Sequence, residues 1–248
     1  MLTEDRHSMI LAIVNRQGSA KLSELCTALD SSESTIRRDL NVLAERRMLT
    51  KVHGGAIALS NNFSRYENDV TEKSRMFVEE KTAIAKYAAS LIDEGDLVYI
   101  DAGTTTEKMI DHIPSKNVTF VTNGFMNAKL LAQRGFKVYI PGGEIKSSTE
   151  AIIGAECVIS LQHYNFTKCF LGVNGISLSG GLSTPDKSEA IVKGTVIHQS
   201  KEVYILADHS KFDRVTSVRF AGLNSGTIIT DRVYDEKYLS ETSIKEVL

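Results

Sequence analysis

Six short apolar runs, at 97–100, 118–121, 138–140, 169–172, 203–206 and 227–230, recur through the later part of the chain. Each has the length of a buried strand, and amphipathic stretches lie between them. In 80–93, for example, Ile84, Tyr87, Ala88 and Leu91 fall on one helical face. Short strands alternating with helices form βαβ units, whose strands pair in parallel and are covered on both faces. The pattern predicts an α/β domain over 80–248 with a Rossmann-like parallel sheet.

Composition supports such a core. Of 248 residues, 42% are hydrophobic, 24% are charged and only 3 are Pro, which excludes a disordered or rod-like chain. No run approaches the roughly 20 apolar residues that span a bilayer, and the start MLTEDRH lacks the apolar region of a signal peptide. A cytoplasmic protein without a membrane partner is expected. Cys26, Cys157 and Cys169 show no CxxC spacing, so they read as reduced thiols, and no metal site is expected.

Residues 1–57 follow another pattern. Met9, Ile10, Ile13 and Val14 mark an amphipathic helix over 3–17, and Leu22, Leu25 and Leu29 a second, short one. Asp30-Ser31-Ser32 breaks it, and a third helix begins with Ser31 or Ser32 as cap and Ile36, Leu40 and Leu43 as its stripe. Two helices joined by a tight polar turn make a helix-turn-helix. That stripe leaves Glu33, Ser34, Thr35, Arg37, Arg38 and Asn41 exposed, groups suited to base edges and phosphates of the DNA major groove. Residues 48–57 alternate apolar positions around Gly54-Gly55, a hairpin wing from which Lys51 and His53 reach the duplex. Net charge is only -2, but Arg37, Arg38, Arg46, Arg47 and Lys51 fall within 15 residues, a local footprint for a phosphate backbone. Residues 58–79 are polar and without period, and read as a linker.

Small and polar residues follow each apolar run: Asp101 to Thr106, Thr122-Asn123-Gly124, Pro141-Gly142-Gly143, Val173-Asn174-Gly175, Ala207 to Lys211, and Asp231. Parallel sheets bind ligands at the carboxyl ends of their strands, so these residues describe a polar small-molecule pocket. In Asp101-Ala-Gly103-Thr104-Thr105-Thr106, a glycine precedes three threonines at a helix start, an arrangement that suits phosphate. Lys193 and Lys211 supply cations.

The string Ser32 to Leu40, with TIRRDL followed by VHGGA, resembles the winged helix-turn-helix of the DeoR family of bacterial transcriptional regulators. DAGTTT, VTNG, LGVNGI, GGLSTPDKSEAIVK and ADHSKF are similar to that family's sensor half, whose fold is similar to ribose-5-phosphate isomerase. The resemblance implies that Ser34, Thr35, Arg37 and Arg38 face operator DNA. It also implies a phosphorylated-sugar effector, with no further cofactor, held by Gly103, Thr104, Thr105, Thr106, Asn123, Asp208 and Lys211, with Lys81 and Lys73 nearby. Among family members the chain looks most like regulators of fructose or other sugar phosphotransferase operons. A homo-oligomeric repressor, dimer or tetramer, is expected.

The competing expectation is a sugar-phosphate isomerase with a DNA-binding appendage. Proton abstraction beside a carbonyl needs a positioned carboxylate base. By the same resemblance, Leu171 and Asn174 stand where such isomerases carry acids. Glu189 remains, as a group able to bond sugar hydroxyls, so a sensor without turnover is expected.

Overall fold

The computed structural model describes residues 3–248 except 18, 47, 53, 58–62, 65–69, 115–116 and 234, and the chain divides into two units, Met1–Asn62 and Phe63–Leu248. In the first, helices Thr3–Gln17, Leu22–Ala28 and Glu33–Glu45 pack their apolar stripes together. Ile10, Val14, Leu25, Leu29, Ile36, Leu40 and Leu43 are all at most 2% exposed, each worth about 1.5–3 kcal/mol of burial. The wing pairs Thr50–Val52 with Gly55–Ile57 antiparallel. Gly54 supplies the left-handed turn at φ +87°, while a Cβ on Gly55 would meet the Ala20 carbonyl oxygen at 2.2 Å. That close approach comes from a strand the sequence pattern did not predict, Ser19–Lys21, which covers the other edge of Gly55–Ile57.

The second unit is built on a seven-stranded, wholly parallel sheet. Its order is Ile244–Glu246, Thr227–Thr230, Ser200–Leu206, Phe166–Gly172, Leu97–Ile100, Thr119–Thr122, Lys137–Tyr139. All six expected runs are strands within two or three residues of their predicted limits, and Ile244–Glu246 adds an edge that its mixed sequence IKE does not announce. One face is covered by Val78–Ser90, whose Ile84, Ala85, Ala88 and Ala89 are fully buried, small side chains that let the helix lie close to the strands. Helix Lys187–His198 covers the other through Val192 and Val196. Cys157 and Cys169 are free and buried, burial pushing both thiols up to about 12; Cys26 is free and half-buried.

The chain starts in mid-sheet at Leu97–Ile100, runs outward to Lys137–Tyr139, then returns to Phe166–Gly172 on the other side of its first strand. This reversal opens a crevice beyond the carboxyl ends of Leu97–Ile100 and Phe166–Gly172, where parallel sheets take ligands. The stretch read as linker is not featureless. Phe63–Ser64 pairs with Val215–Thr216, Val70–Arg75 is a helix, and Val78 begins the next, so 63–79 are part of the second unit. No helix among the described residues is long and apolar enough to cross a membrane.

Candidate functional site

Helix Glu33–Glu45 starts where Ser32 Oγ accepts the Thr35 amide at 3.3 Å. Ser34, Arg37, Arg38 and Asn41 are exposed and Thr35 is half-buried, as the apolar stripe requires. Arg37 lies 3.3 Å from Glu33, and Lys51 on the wing donates to Asn41 Oδ1 at 2.5 Å, tying wing to helix. His53 lies outside the described residues. One feature escapes a periodicity reading: Asp39 is buried and accepts Arg6 Nε at 2.6 Å, with His7 Nε2 at 3.1 Å. Burial works to raise the Asp39 carboxyl, but the hydrogen bonds from Arg6 and His7 outweigh it and hold its pKa below the ordinary value. Arg6 and His7 thereby fix the orientation in which the helix presents Arg37 and Arg38.

At the sheet's reversal Asp101 is 2% exposed; its Oδ2 accepts the Gly172 amide at 3.0 Å and the Lys193 ammonium. Burial pushes the Asp101 carboxyl up while Lys193 pulls it down. Glu189, also buried, accepts Thr149 Oγ1 at 2.7 Å and Lys146 Nζ at 3.1 Å, and faces Thr184 Oγ1 at 3.4 Å. Asn174 accepts the same Thr184 hydroxyl at 3.1 Å. Leu171 is fully buried in the core and offers nothing to the crevice.

Two residues expected at the effector brace the loop itself. Thr106, 0% exposed, donates its hydroxyl to the carbonyls of Asp101 (2.7 Å) and Gly103 (2.8 Å). Asn123 accepts the Ala102 amide at 3.0 Å and donates to the Ile152 carbonyl at 3.2 Å, so both ends of its amide hold backbone. Asn127, which the sequence did not single out, adds a bond to the Asp101 carbonyl at 2.9 Å. Gly103 and Thr104 remain half-buried at the surface of this loop, with Thr105 largely covered.

Beside it, past the strand Ser200–Leu206, lies a second polar cluster. Asp208 is fully buried; its Oδ1 takes the Ser210 amide at 3.1 Å and the Ser210 hydroxyl, while its Oδ2 has no hydrogen-bond partner. Lys211 Nζ stands 3.8 Å from that oxygen. Lys81 is 2% exposed and donates to the Lys73 carbonyl. Burial pushes the Lys81 ammonium down to about 8; Asp208 opposes this, and Lys211, Lys108 and Lys73 add to it. Lys211 is lowered too, by burial first, with Asp208 opposing and Arg214 and Lys73 adding. Lys81 and Lys211, from two elements, thus share the field of one buried carboxylate.

Next to this cluster His209 Nδ1 meets Asp231 Oδ2 at 2.6 Å, and the His209 amide donates to Asp231 Oδ1 at 2.7 Å. Glu80 brings a third donor atom within 4.8 Å of theirs, a grouping that no spacing motif reveals. With Arg232 Nε 3.4 Å from Asp231, the carboxylate is already engaged by protein groups.

Residues 6–62 match the model of the DeoR-like helix-turn-helix domain and residues 76–232 that of the DeoR C terminal sensor domain. The chain is 43% identical to the uncharacterized HTH-type transcriptional regulator FruR of Bacillus subtilis, covering 100% of this chain and 99% of that one. It is 36% identical to the HTH-type transcriptional regulator IolR of the same organism, over 89% of this chain and 88% of that one. A lactose phosphotransferase system repressor of Staphylococcus epidermidis is 35% identical over 98% of both chains. Ribose 5-phosphate isomerase A of Methanocaldococcus jannaschii superposes with a TM-score of 0.41, at 17% identity over 53% of each chain. With a helix-turn-helix unit and a sensor unit that both match, the chain belongs to the DeoR family of DNA-binding transcriptional regulators.

Proposed function

We propose that this regulator is a cytoplasmic repressor of a sugar-utilisation operon whose hold on operator DNA is modulated by a phosphorylated sugar. The observation that carries the effector's chemistry is the Asp208 cluster. A buried carboxylate oxygen without a donor calls for a hydroxyl, and lysines held below their ordinary pKa call for an anion. A sugar phosphate brings both groups in one molecule. In this reading Asp208 takes sugar hydroxyls, and Lys211 and Lys81 take the phosphate. Gly103, Thr104 and Thr105 line the neighbouring loop, which Asp101, Thr106 and Asn123 shape. Glu189 faces hydroxyls from the far side of the crevice. Ser34, Thr35, Arg37, Arg38, Lys51 and His53 meet DNA, the duplex being read by a homo-oligomer, since paired half-sites need paired units. The lactose phosphotransferase system repressor among its relatives supports a sugar that enters the cell phosphorylated.

A thermal-shift panel tests this. Fructose 1-phosphate, fructose 6-phosphate, galactose 6-phosphate and glucose 6-phosphate are compared with the free sugars; selective binding raises stability by RT ln(1 + [L]/Kd). One phosphate ester should raise Tm where its parent sugar does not. Equal shifts with free sugars, or none with any ester, would reject a phosphorylated effector. Asp101 and Glu189 leave an isomerase as the second reading, but both carboxylates are engaged by lysines, threonines or backbone. Turnover of an aldose phosphate to a ketose phosphate, lost in Glu189→Gln, would favour that reading.

A further inference from the structure

The helix Val70–Arg75 buries none of its six residues, and an isolated helix shorter than about 12–15 residues does not hold in water. Tertiary bonds around the crevice anchor it and the chain on either side. The Val70 amide donates to the Ser148 carbonyl at 3.3 Å, and Ser148 adjoins Thr149, which bonds Glu189. The Lys73 carbonyl, in the last turn, accepts the Lys81 ammonium. Upstream, Phe63–Ser64 pairs with Val215–Thr216, directly after Arg214, whose charge acts on Lys211.

Phe77, just beyond this helix, has φ 53° and ψ 47°, left-handed backbone that a bulky side chain rarely adopts. Its ring meets the ring of His209 edge-on, centroids 5.0 Å apart. His209 lies between Asp208 and Lys211 and is fixed by Asp231. Strained backbone of this kind persists only while its surroundings over-determine it. The segment 70–77 is therefore a weakly self-stabilised piece of chain held by residues in or beside the crevice.

We propose that 70–77 is the element through which the crevice signals toward the DNA-binding unit, with Lys81 as its trigger: an anion bound beside Asp208 draws the Lys81 ammonium off the Lys73 carbonyl and loosens the helix Val70–Arg75. This rests on the effector reading above. The anion wins the competition because it adds a full opposite charge, whose Coulombic attraction in a partly buried site a neutral carbonyl lacks. Burial and the charges of Lys211, Lys108 and Lys73 also work against the Lys81 ammonium, with Asp208 opposing them. Elements of low local stability are the ones that such transitions move.

Hydrogen–deuterium exchange of the full-length chain tests the relay, free and with fructose 1-phosphate, fructose 6-phosphate or inorganic phosphate at saturation. The expected result is slower exchange at 208–212 together with roughly tenfold faster exchange at 71–76. In Lys81→Met, which keeps the buried stem, 71–76 should exchange at the fast rate without ligand and gain nothing from it. Slower exchange at 208–212 with 71–76 unchanged or slowed would overturn the relay and leave the effector reading standing. A Lys81→Met protein whose 71–76 segment exchanges as slowly as the wild type would also overturn it. No change at 208–212 with any of the three compounds would reject the effector reading, and the relay with it. The wild-type comparison does not depend on the variant folding.

Discussion

Arg37 and Arg38 extend from a helix whose opposite side is closed by Ile36, Asp39, Leu40 and Leu43. Neither side chain is buried, so truncation should leave folding intact and act on DNA alone. Arg37→Ala or Arg38→Ala should weaken operator binding by about 1–3 kcal/mol where the guanidinium meets a base. Fluorescence anisotropy on an operator fragment measures it, and wild-type affinity in both variants would take these residues out of the interface. At the other site Lys81 carries the sharper residue-scale expectation. Its folded pKa, about 8, lies below the ordinary lysine value, so burial disfavours the ammonium and that cost fades as pH rises past 8. An anion reverses the sign, raising the Lys81 pKa on binding. Near pH 8.5 binding should therefore take up protons, and affinity should fall as pH rises through the free protein's value of about 8. The groups that set this balance are Asp208, Lys211, Lys108 and Lys73. Calorimetry in two buffers of different ionisation enthalpy reads the uptake, which Lys81→Met should reduce; equal heats in the two buffers would count against it.

Among the elements, the wing shows how one dipeptide serves two physical needs. Gly54 is in the left-handed region with open space around it, whereas Gly55 lies against the Ala20 carbonyl. Alanine at 54 should cost about 1–2 kcal/mol of backbone strain and leave the sheet in place. Alanine at 55 forces the strand Ser19–Lys21 off its partner, because backbone cannot yield as a side-chain tip would. Circular dichroism melts of both variants should therefore rank Gly55→Ala well below Gly54→Ala in Tm; the reverse order would contradict the three-stranded arrangement. The crevice depends on elements in a like way. Thr106, Asn123 and Asn127 belong to helices or strand ends that also carry core residues, so the loop at Asp101 is fixed by the same packing that builds the sheet.

Over the whole molecule, regulation requires that effector and DNA favour different states of one chain, and the differential affinity must supply the coupling, typically about 1–3 kcal/mol. Sequence by itself determined the parts with a local cause. The 3.6-residue stripe of Ile36, Leu40 and Leu43 located the exposed side of its helix, and six apolar runs located six strands and the loops beyond them. The polar groups of those loops were legible as well, because Gly103 to Thr106 and Asp208 to Lys211 are contiguous. What only the tertiary structure decided depends on strand order, which no local period encodes. The return of the chain from one sheet edge to the middle sets Lys193 on Asp101, Lys146 on Glu189 and Lys81 beside Asp208, pairs far apart in sequence. It also decided that Thr106 and Asn123 bond the backbone of their own and neighbouring loops, since a hydroxyl or amide at a strand end can face either the ligand or the neighbouring loop. Sequence specifies the group but not which way packing turns it.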